Sequence, residues 1–397
     1  MKFTLPSLLS LLSFLSPNRN LPQAQPASKA EMDRQFGLTQ QYPDPNDTER
    51  TSRAAVDIIA IHGLRARSPQ TWLAWKKEGD PESGNVFWLK DEEMLPRFIP
   101  DSRILTYDWN ANYVKDASKD RFLGHADTLL EHIYQNRLET NRSCRPIIFI
   151  ASCFGGLLLA NALVRANEPH HPQYNQYHPI LDLTIGIAFL GTPFRGSWML
   201  GYEFALRLID QEAERGESHS QELIQYLRTD SRMDARGLPS PLDDVVQRFS
   251  EMIHNTKFKS STDVVCFYET LPTNYESVLK ALDNSNMPNE SEFDPSGHAV
   301  TVPRASACID GITAIQLEVR HNMLHKHSSP TSNQFQLIVQ RLQGFSQKSK
   351  YISYSYYRKT VYMPMQIRLL QPRLFCDCLL AWSKINDGYV LPYRLSI

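Results

Sequence analysis

The sequence predicts an α/β fold, a mostly parallel sheet with helices packed on both faces. Three observations carry this expectation. Apolar strand-like runs recur from Val56 to His321 with helix-patterned stretches between them. One run, "IIFIAS" at 147–152, passes through small residues directly into the helix-forming stretch Leu157–Leu163. At 397 residues, the chain is long enough to bury a large core, as one large or two medium domains.

The runs, in order, are "VDIIAIHGL" (56–64), "SRILTYDW" (102–109), "IIFIAS" (147–152), "LDLTIGIAFLGTP" (181–193), "TDVVCFYET" (262–270) and "GITAIQLEVRH" (311–321). Each concentrates apolar residues, many of them β-branched, in a short stretch, which is the strand signature. One earlier strand is expected near "FGLTQQY" at 36–42. Between the fourth and fifth runs lies a charged, helix-patterned insertion, roughly Trp198–His254, longer than a simple crossover requires. It reads either as a lid over the strand ends or as peripheral helices with no gating role.

The domain layout follows from these patterns. Residues 37–343 form the α/β domain, and 17–36 form a linker rich in Pro, Asn and Gln. Residues 1–16 hold one lysine and then a Leu/Ser/Phe run too short for a comfortable membrane span. Serines at 7, 10, 13 and 16 would stripe one side of a helix, so this leader reads as a targeting or membrane-surface segment. Residues 344–397 lack a clear period and stay unassigned.

Composition excludes some partners. With 42 Lys+Arg against 43 Asp+Glu, the formal charge is −1, so nothing electrostatic points to nucleic acid. The six cysteines (Cys144, Cys153, Cys266, Cys308, Cys376, Cys378) show no framework spacing, which predicts reduced thiols in an intracellular protein. The C-x-C pair at Cys376 and Cys378 is too little for a metal site.

The chemistry starts at "ASCFGG", 151–156. Strand, tight turn and helix make the local shape of a nucleophile elbow, whose strained central residue needs small neighbours two positions to either side. Ser152 would have Ile150 and Phe154 there; Cys153 has Ala151 and Gly155. The register selects Cys153.

In an open parallel sheet, functional groups gather beyond the carboxyl ends of the strands. Cys153 follows the third run, Glu269 closes "VVCFYE" in the fifth, and His321 ends the sixth. Nucleophile, acid and histidine in this chain order match the α/β-hydrolase triad. His321 would take the Cys153 proton or pair with its thiolate and later activate water, and Glu269 would fix the imidazole tautomer. The backbone N–H groups of Phe154 and Leu64 are the natural oxyanion donors. Gly63 would let its loop approach closely, and His62 would position that loop without transferring a proton. Asp263, Asp310 and Glu318 are fallback acids. The cluster "HNMLHKH" also permits a metal reading through His321, His325 and His327, but no carboxylate or cysteine completes it at ligand spacing, so no metal and no cofactor are expected.

Taken together, "VDIIAIHGL", "TW" (71–72), "FWLKDEEMLP" (87–96), "RILTYDW" (103–109), "IASCFGGLLLANAL" (150–163) and "FLGTPFRGS" (189–197) resemble the serine-active-site-containing protein family of lipase-like α/β-hydrolases. That family also occurs as a domain of fungal ankyrin-repeat and nucleotide-binding receptor-like proteins, and is related to enzymes that deacylate glycosylphosphatidylinositol anchors. "FYETLPT" (267–273), "VPRASA" (302–307) and "RHNMLHKHSS" (320–329) look like its acid-bearing strand end, V-x-x-x-S-A signature and histidine segment. The resemblance covers about residues 37–343. It implies an internal membrane location, endoplasmic reticulum or mitochondrion.

Three departures stand out. The usual G-H-S-L-G-G elbow is A-S-C-F-G-G; Phe194 replaces the histidine of G-T-P-H-x-G; Arg320 replaces the Asp before the catalytic histidine. A cysteine thiol is more acidic than a serine hydroxyl and needs less general-base help. No G-x-x-x-x-G-K-[ST] occurs, so no nucleotide partner is expected. Two functions stand at this point: an esterase-like or lipase-like hydrolase of an acyl ester or thioester, including one in a lipid, and an inert hydrolase fold kept for signalling or partner binding.

Overall fold

The computed structural model describes residues 36–64, 66–111, 119–139, 144–168, 172–197, 241–275 and 298–349. In chain order the strands are β1 (Gly37–Tyr42), β2 (Val56–Ile61), β3 (Leu73–Lys77), β4 (Asp80–Phe87), β5 (Ser102–Asp108), β6 (Ile147–Ser152), β7 (Thr184–Leu190), β8 (Asp263–Glu269), β9 (Thr273–Asn274), β10 (His298–Ala299) and β11 (Thr313–Leu317). The long helices are α1 (Lys119–Glu139), α2 (Phe154–Ala166), α3 (Pro241–His254) and α4 (Asn333–Gln347).

Seven strands make one sheet in the order β1-β5-β2-β6-β7-β8-β11. β1 runs antiparallel to β5, and every other neighbour pair is parallel. This is the α/β-hydrolase arrangement, and all seven expected strands lie in it. The hairpin β3–β4 and the short pair β9–β10 stand outside the central sheet.

Side chains alternate across a strand, so each strand feeds two cores. Ile59, Ile61, Leu105, Tyr107, Phe149 and Phe189 pack with α2 and with Phe249 of α3, whereas Ile58, Ala60, Ile104, Ile148, Ile150 and Phe267 pack with α4 and with Trp72 and Trp88. The strands β2, β5, β6 and β7 are buried along their whole length. α4 is started by Ser332, whose hydroxyl accepts the Phe335 N–H, and it turns Phe335, Ile338, Val339, Leu342 and Phe345 inward at helical spacing.

That helix moves one expected boundary. A domain edge at 343 would cut α4, which continues to Gln347 and presses Phe345 onto Gly186 of β7. Lys348, just beyond, pairs with Asp263 at 2.7 Å. Sequence periodicity fades there because the last turn contributes a single inward residue.

Beneath β2 and β5 sits a buried ion cluster. Asp57 receives Arg103 through two bonds of 2.8 and 3.1 Å, Arg137 at 2.9 Å and Arg145 at 2.8 Å. Burial alone would raise its pKa, but the three guanidinium groups overcome that and hold the carboxylate far below its ordinary range.

Cys153, Cys266 and Cys308 are free thiols, as expected, but Cys144 is disulfide-bonded, so the reading of uniformly reduced cysteines fails there. Of the insertion 198–254, Pro241–His254 packs on the core as α3 with Leu242, Val245, Phe249, Met252 and Ile253 buried. Residues 198–240, the leader 1–16, the linker up to residue 35 and the tail from residue 350 lie outside the described residues. Among the described residues, no helix is long and apolar enough to cross a membrane.

Candidate active site

The turn between β6 and α2 brings the candidate nucleophile to the carboxyl edge of the sheet. Cys153 adopts φ 51 and ψ −127, and it is the only non-glycine residue with positive φ among the described residues. Such a conformation costs an L-residue energy and persists only where its surroundings enforce it. Here the Cys153 N–H is held by the Leu190 carbonyl at 2.8 Å, and the Gly156 N–H returns to the Cys153 carbonyl at 3.0 Å.

The small residues of the elbow have specific neighbours. A Cβ on Gly155 would lie 2.4 Å from the His62 carbonyl oxygen and 2.8 Å from that of Ile61. The helix therefore starts hard against the end of β2, and nothing larger than hydrogen fits. A Cβ on Gly63 would sit 2.7 Å from the Cys153 Cβ and 3.5 Å from its Sγ, so this loop lies directly against the thiol. Ala151 is fully buried on the core side of β6.

Glu269 and His321 converge on the same point. Glu269 ends β8 opposite Leu317 of β11, and the chain then carries His321 over the strand ends in a short helical turn, His321–Met323. The His321 Nδ1 is 3.1 Å from the Glu269 Oε2, and the other Glu269 oxygen accepts the Val302 N–H at 2.7 Å. The imidazole also meets the Cys153 side chain. Burial would lower the His321 pKa, but the Glu269 and Cys153 charges and their hydrogen bonds outweigh it and raise it well above the ordinary histidine value. Of these three side chains, Glu269 is sealed and His321 keeps 14% exposure, while Cys153 is partly exposed. The site can therefore present a thiol beside a carboxylate-paired histidine on a face open to a substrate.

Leu64 follows Gly63, and Phe154 opens α2 immediately after the nucleophile, so both backbone positions flank Cys153. His62 is buried away from it. Its Nε2 lies 2.8 Å from the Asp108 Oδ1, its Nδ1 2.8 Å from the Gly63 carbonyl, and its ring stacks on Trp109. It braces the Gly63–Leu64 loop from below and does not take part in the Cys153–His321–Glu269 line.

Ser152 has a histidine of its own. Its hydroxyl is 3.2 Å from the His325 Nδ1, and the far nitrogen of that ring meets the Thr71 hydroxyl at 3.1 Å. Ser152 is 3% exposed, and among the described residues it is the Thr71 hydroxyl, not a carboxylate, that stands behind His325. Burial, aided by nearby Lys326, His321, His327 and His62, lowers the His325 pKa to about 3, so the ring stays neutral. The three histidines of the cluster are thus directed apart: His321 to Glu269, His325 to Ser152 and Thr71, and His327 against the Trp88 ring. Among the described residues no group of three His, Cys, Asp or Glu side chains could hold a metal ion.

No known family's model matches the chain. No curated protein matches it either. Among solved structures it is similar to the lipase BlEst2 of Bacillus licheniformis in mature form, with 16% identity over 76% of this chain and 97% of that one, at a TM-score of 0.41. A lipase-esterase related protein from Clostridium acetobutylicum gives 9% identity over 78% and 99% at 0.37, and the siderophore hydrolase EstB from Aspergillus fumigatus gives 12% over 75% and 91% at 0.38. At this level of overlap, no argument about substrate passes from them to this chain.

Several residues at the site escape sequence reasoning. Gly191, with φ 61, lies under the imidazole, where a Cβ would come within 2.9 Å of the His321 Cε1 and 2.5 Å of Leu324. Its signal is the "LGTP" that follows β7. Val302 supplies the main-chain donor to Glu269, and only its place at the head of the "VPRASA" motif hints at it. Of the fallback acids, Asp263 opens β8 and pairs with Lys348 at 2.7 Å, Asp310 pairs with Arg195 at 2.8 Å, and Glu318 lies just past the end of β11 rather than inside a strand. Phe194 is buried among Phe189 and Phe249.

Proposed function

We propose that the chain is a carboxylic ester or thioester hydrolase that works through Cys153, His321 and Glu269. The observation that carries this reading is the Glu269–His321–Cys153 line beneath a positive-φ cysteine at the head of α2. An inert binding fold has no physical need for a buried carboxylate that meets a histidine beside a strained thiol.

The chemistry follows from the positions. The Cys153 thiolate adds to the acyl carbonyl, and the oxyanion meets the N–H groups of Phe154 and Leu64. Collapse expels the alcohol or thiol, which takes the proton from the His321 imidazolium and leaves a thioester on Cys153. His321, now neutral, takes a proton from water as it attacks that thioester. The carboxylic acid departs and the thiolate–imidazolium pair is restored. Glu269 keeps the His321 Nδ1 proton in place throughout.

The motif order across residues 37–343 supports a lipase-like member of the α/β-hydrolases, with an acyl ester or a lipid as substrate. A panel of thiol- and serine-directed acyl probes tests the reading, with the modified residue mapped by mass spectrometry. Label on Cys153 that disappears in His321→Ala is expected. Label on Ser152 would overturn the register, and no label on any residue would favour the inert fold.

A further inference from the structure

We propose that His325 is a positioning residue that locks the elbow to the loop bearing His321 and so sets the approach of the imidazole to the Cys153 thiol. The inference rests on the role given above to Cys153 and His321.

For those two groups to react, two separate segments must keep register: the turn after β6 and the turn after β11. Glu269 fixes the His321 ring from the β8 side only. The direct tie between the two reacting segments is the 3.2 Å contact of Ser152, the residue before the nucleophile, with His325, four residues past the histidine. The His325 ring is itself held. Thr71 meets its Nε2 at 3.1 Å, Trp72 packs edge-on against it at 5.9 Å between centroids, and its backbone carbonyl accepts the Trp88 Nε1–H at 2.9 Å.

The chemistry of the clamp suits a fixed brace. A neutral imidazole donates from one nitrogen and accepts at the other, and each hydroxyl can play either part, so both contacts are satisfied in one tautomer or its mirror. Burial and the neighbours Lys326, His321, His327 and His62 keep the ring neutral down to about pH 3. The groups that face His321 are Glu269 and Cys153. The brace therefore holds unchanged while the His321–Cys153 pair changes charge, and a second ionising group does not compete with the imidazolium.

The test is the pH dependence of Cys153 alkylation by iodoacetamide in the full chain, read at the Cys153 peptide by mass spectrometry. In the wild type, pairing with the imidazolium should keep Cys153 reactive below pH 6, and His321→Ala should remove that acid-side reactivity. Ser152→Ala, which loses the one hydrogen bond to His325, should slow alkylation at pH 6 by about fivefold, and His325→Leu, which also loses the Thr71 contact, by at least as much. The slowing should be greatest on the acid side, where alkylation depends on His321. His325→Asn, whose amide reaches the Nδ1 position, should restore the wild-type profile.

If the folded variants lose melting temperature while the pH profile stays in place, His325 is a packing residue and the proposal is overturned. Should His325→Leu not fold, Ser152→Ala and Thr71→Val decide by the same profile. A wild type with no acid-side reactivity, or one indifferent to His321→Ala, overturns the reading of the pair itself, and the positioning role with it. Acid-side reactivity that depends on His321 but not on His325 overturns the positioning role alone.

Discussion

Replacing Glu269 with Gln isolates the electrostatic part of the site, because the amide has nearly the same shape. The Val302 N–H can still be accepted, so the loop is kept. What changes is the group facing His321 Nδ1, from a carboxylate at 3.1 Å to a neutral amide. At that separation and an effective dielectric near 20, the charge–charge attraction is about 5 kcal/mol as an upper figure. Converted at ~1.4 kcal/mol per decade, its loss slows a step that needs the imidazolium by about 10³ to 10⁴. If the amide presents its NH2, the tautomer is also wrong, with the Nε2 carrying the proton and facing the thiol. The two half-reactions should suffer unequally. A thiol ionises readily without help, whereas water needs His321 as a base, so deacylation falls more than acylation. Stopped-flow assay with a chromogenic short-chain ester should therefore show a stoichiometric burst and then turnover reduced about 10³-fold in the variant. Turnover within tenfold of the wild type would show that Glu269 is not the third member of the site.

Other consequences are equally direct. Since Glu269 and Cys153 raise the His321 pKa, the stability it contributes is complete below pH ~6.5 and lost as pH climbs through the folded value. The melting-temperature gap between wild type and Glu269→Gln should accordingly narrow on the alkaline side. Cys153→Ala should abolish acyl-enzyme formation, and Cys153→Ser should keep partial activity that rises with pH, because an alkoxide needs a neutral His321; equal loss in both variants would deny a working triad. Gly155→Ala places a methyl 2.4 Å from a backbone oxygen that cannot swing away and should cost about 1–3 kcal/mol in denaturant unfolding. Asp57→Asn leaves three buried guanidinium groups without their carboxylate and should cost about 3–5 kcal/mol by the same measurement. In the wild type this cluster's contribution is present above the unfolded Asp value near pH ~3.9 and is lost as pH falls through the depressed folded value, so acid titration of stability should not reach it until strongly acidic pH.

Most of the sheet was legible because its central strands are apolar-rich runs bounded by turn formers, whereas the edge strand β1, "GLTQQY", is largely polar. The strand–helix alternation left no other packing that buries both faces of β2, β5, β6 and β7. The hairpin β3–β4 was not, since its strand Asp80–Phe87, "DPESGNVF", is polar and contains Pro81 and Gly84, and its pairing comes from a turn rather than from apolar pattern. The last turn of α4 was missed for a related reason: one phenylalanine among Gln, Ser and Lys carries no period, and its partner, Gly186, has no side chain to advertise the contact.

At the site, what could be read was whatever depends on chain order, and what could not be read was whatever depends on depth. Cys153, Glu269 and His321 each end or follow a strand, so topology alone places them at one edge. His321 and His325 are four residues apart in one loop, yet one is raised by a carboxylate and the other is driven to about 3 by burial. No spacing rule separates them. The same holds at "SC" in the elbow, where steric room two residues away picks out Cys153, but the bond from Ser152 to His325 across 173 positions has no local trace. A serine in that place is compatible with a turn filler and with a brace, and the difference lies in the neutral imidazole it meets. Adjacent residues at this edge thus meet different histidines: the strained cysteine faces the one paired with Glu269, and the buried serine faces the one that burial keeps neutral.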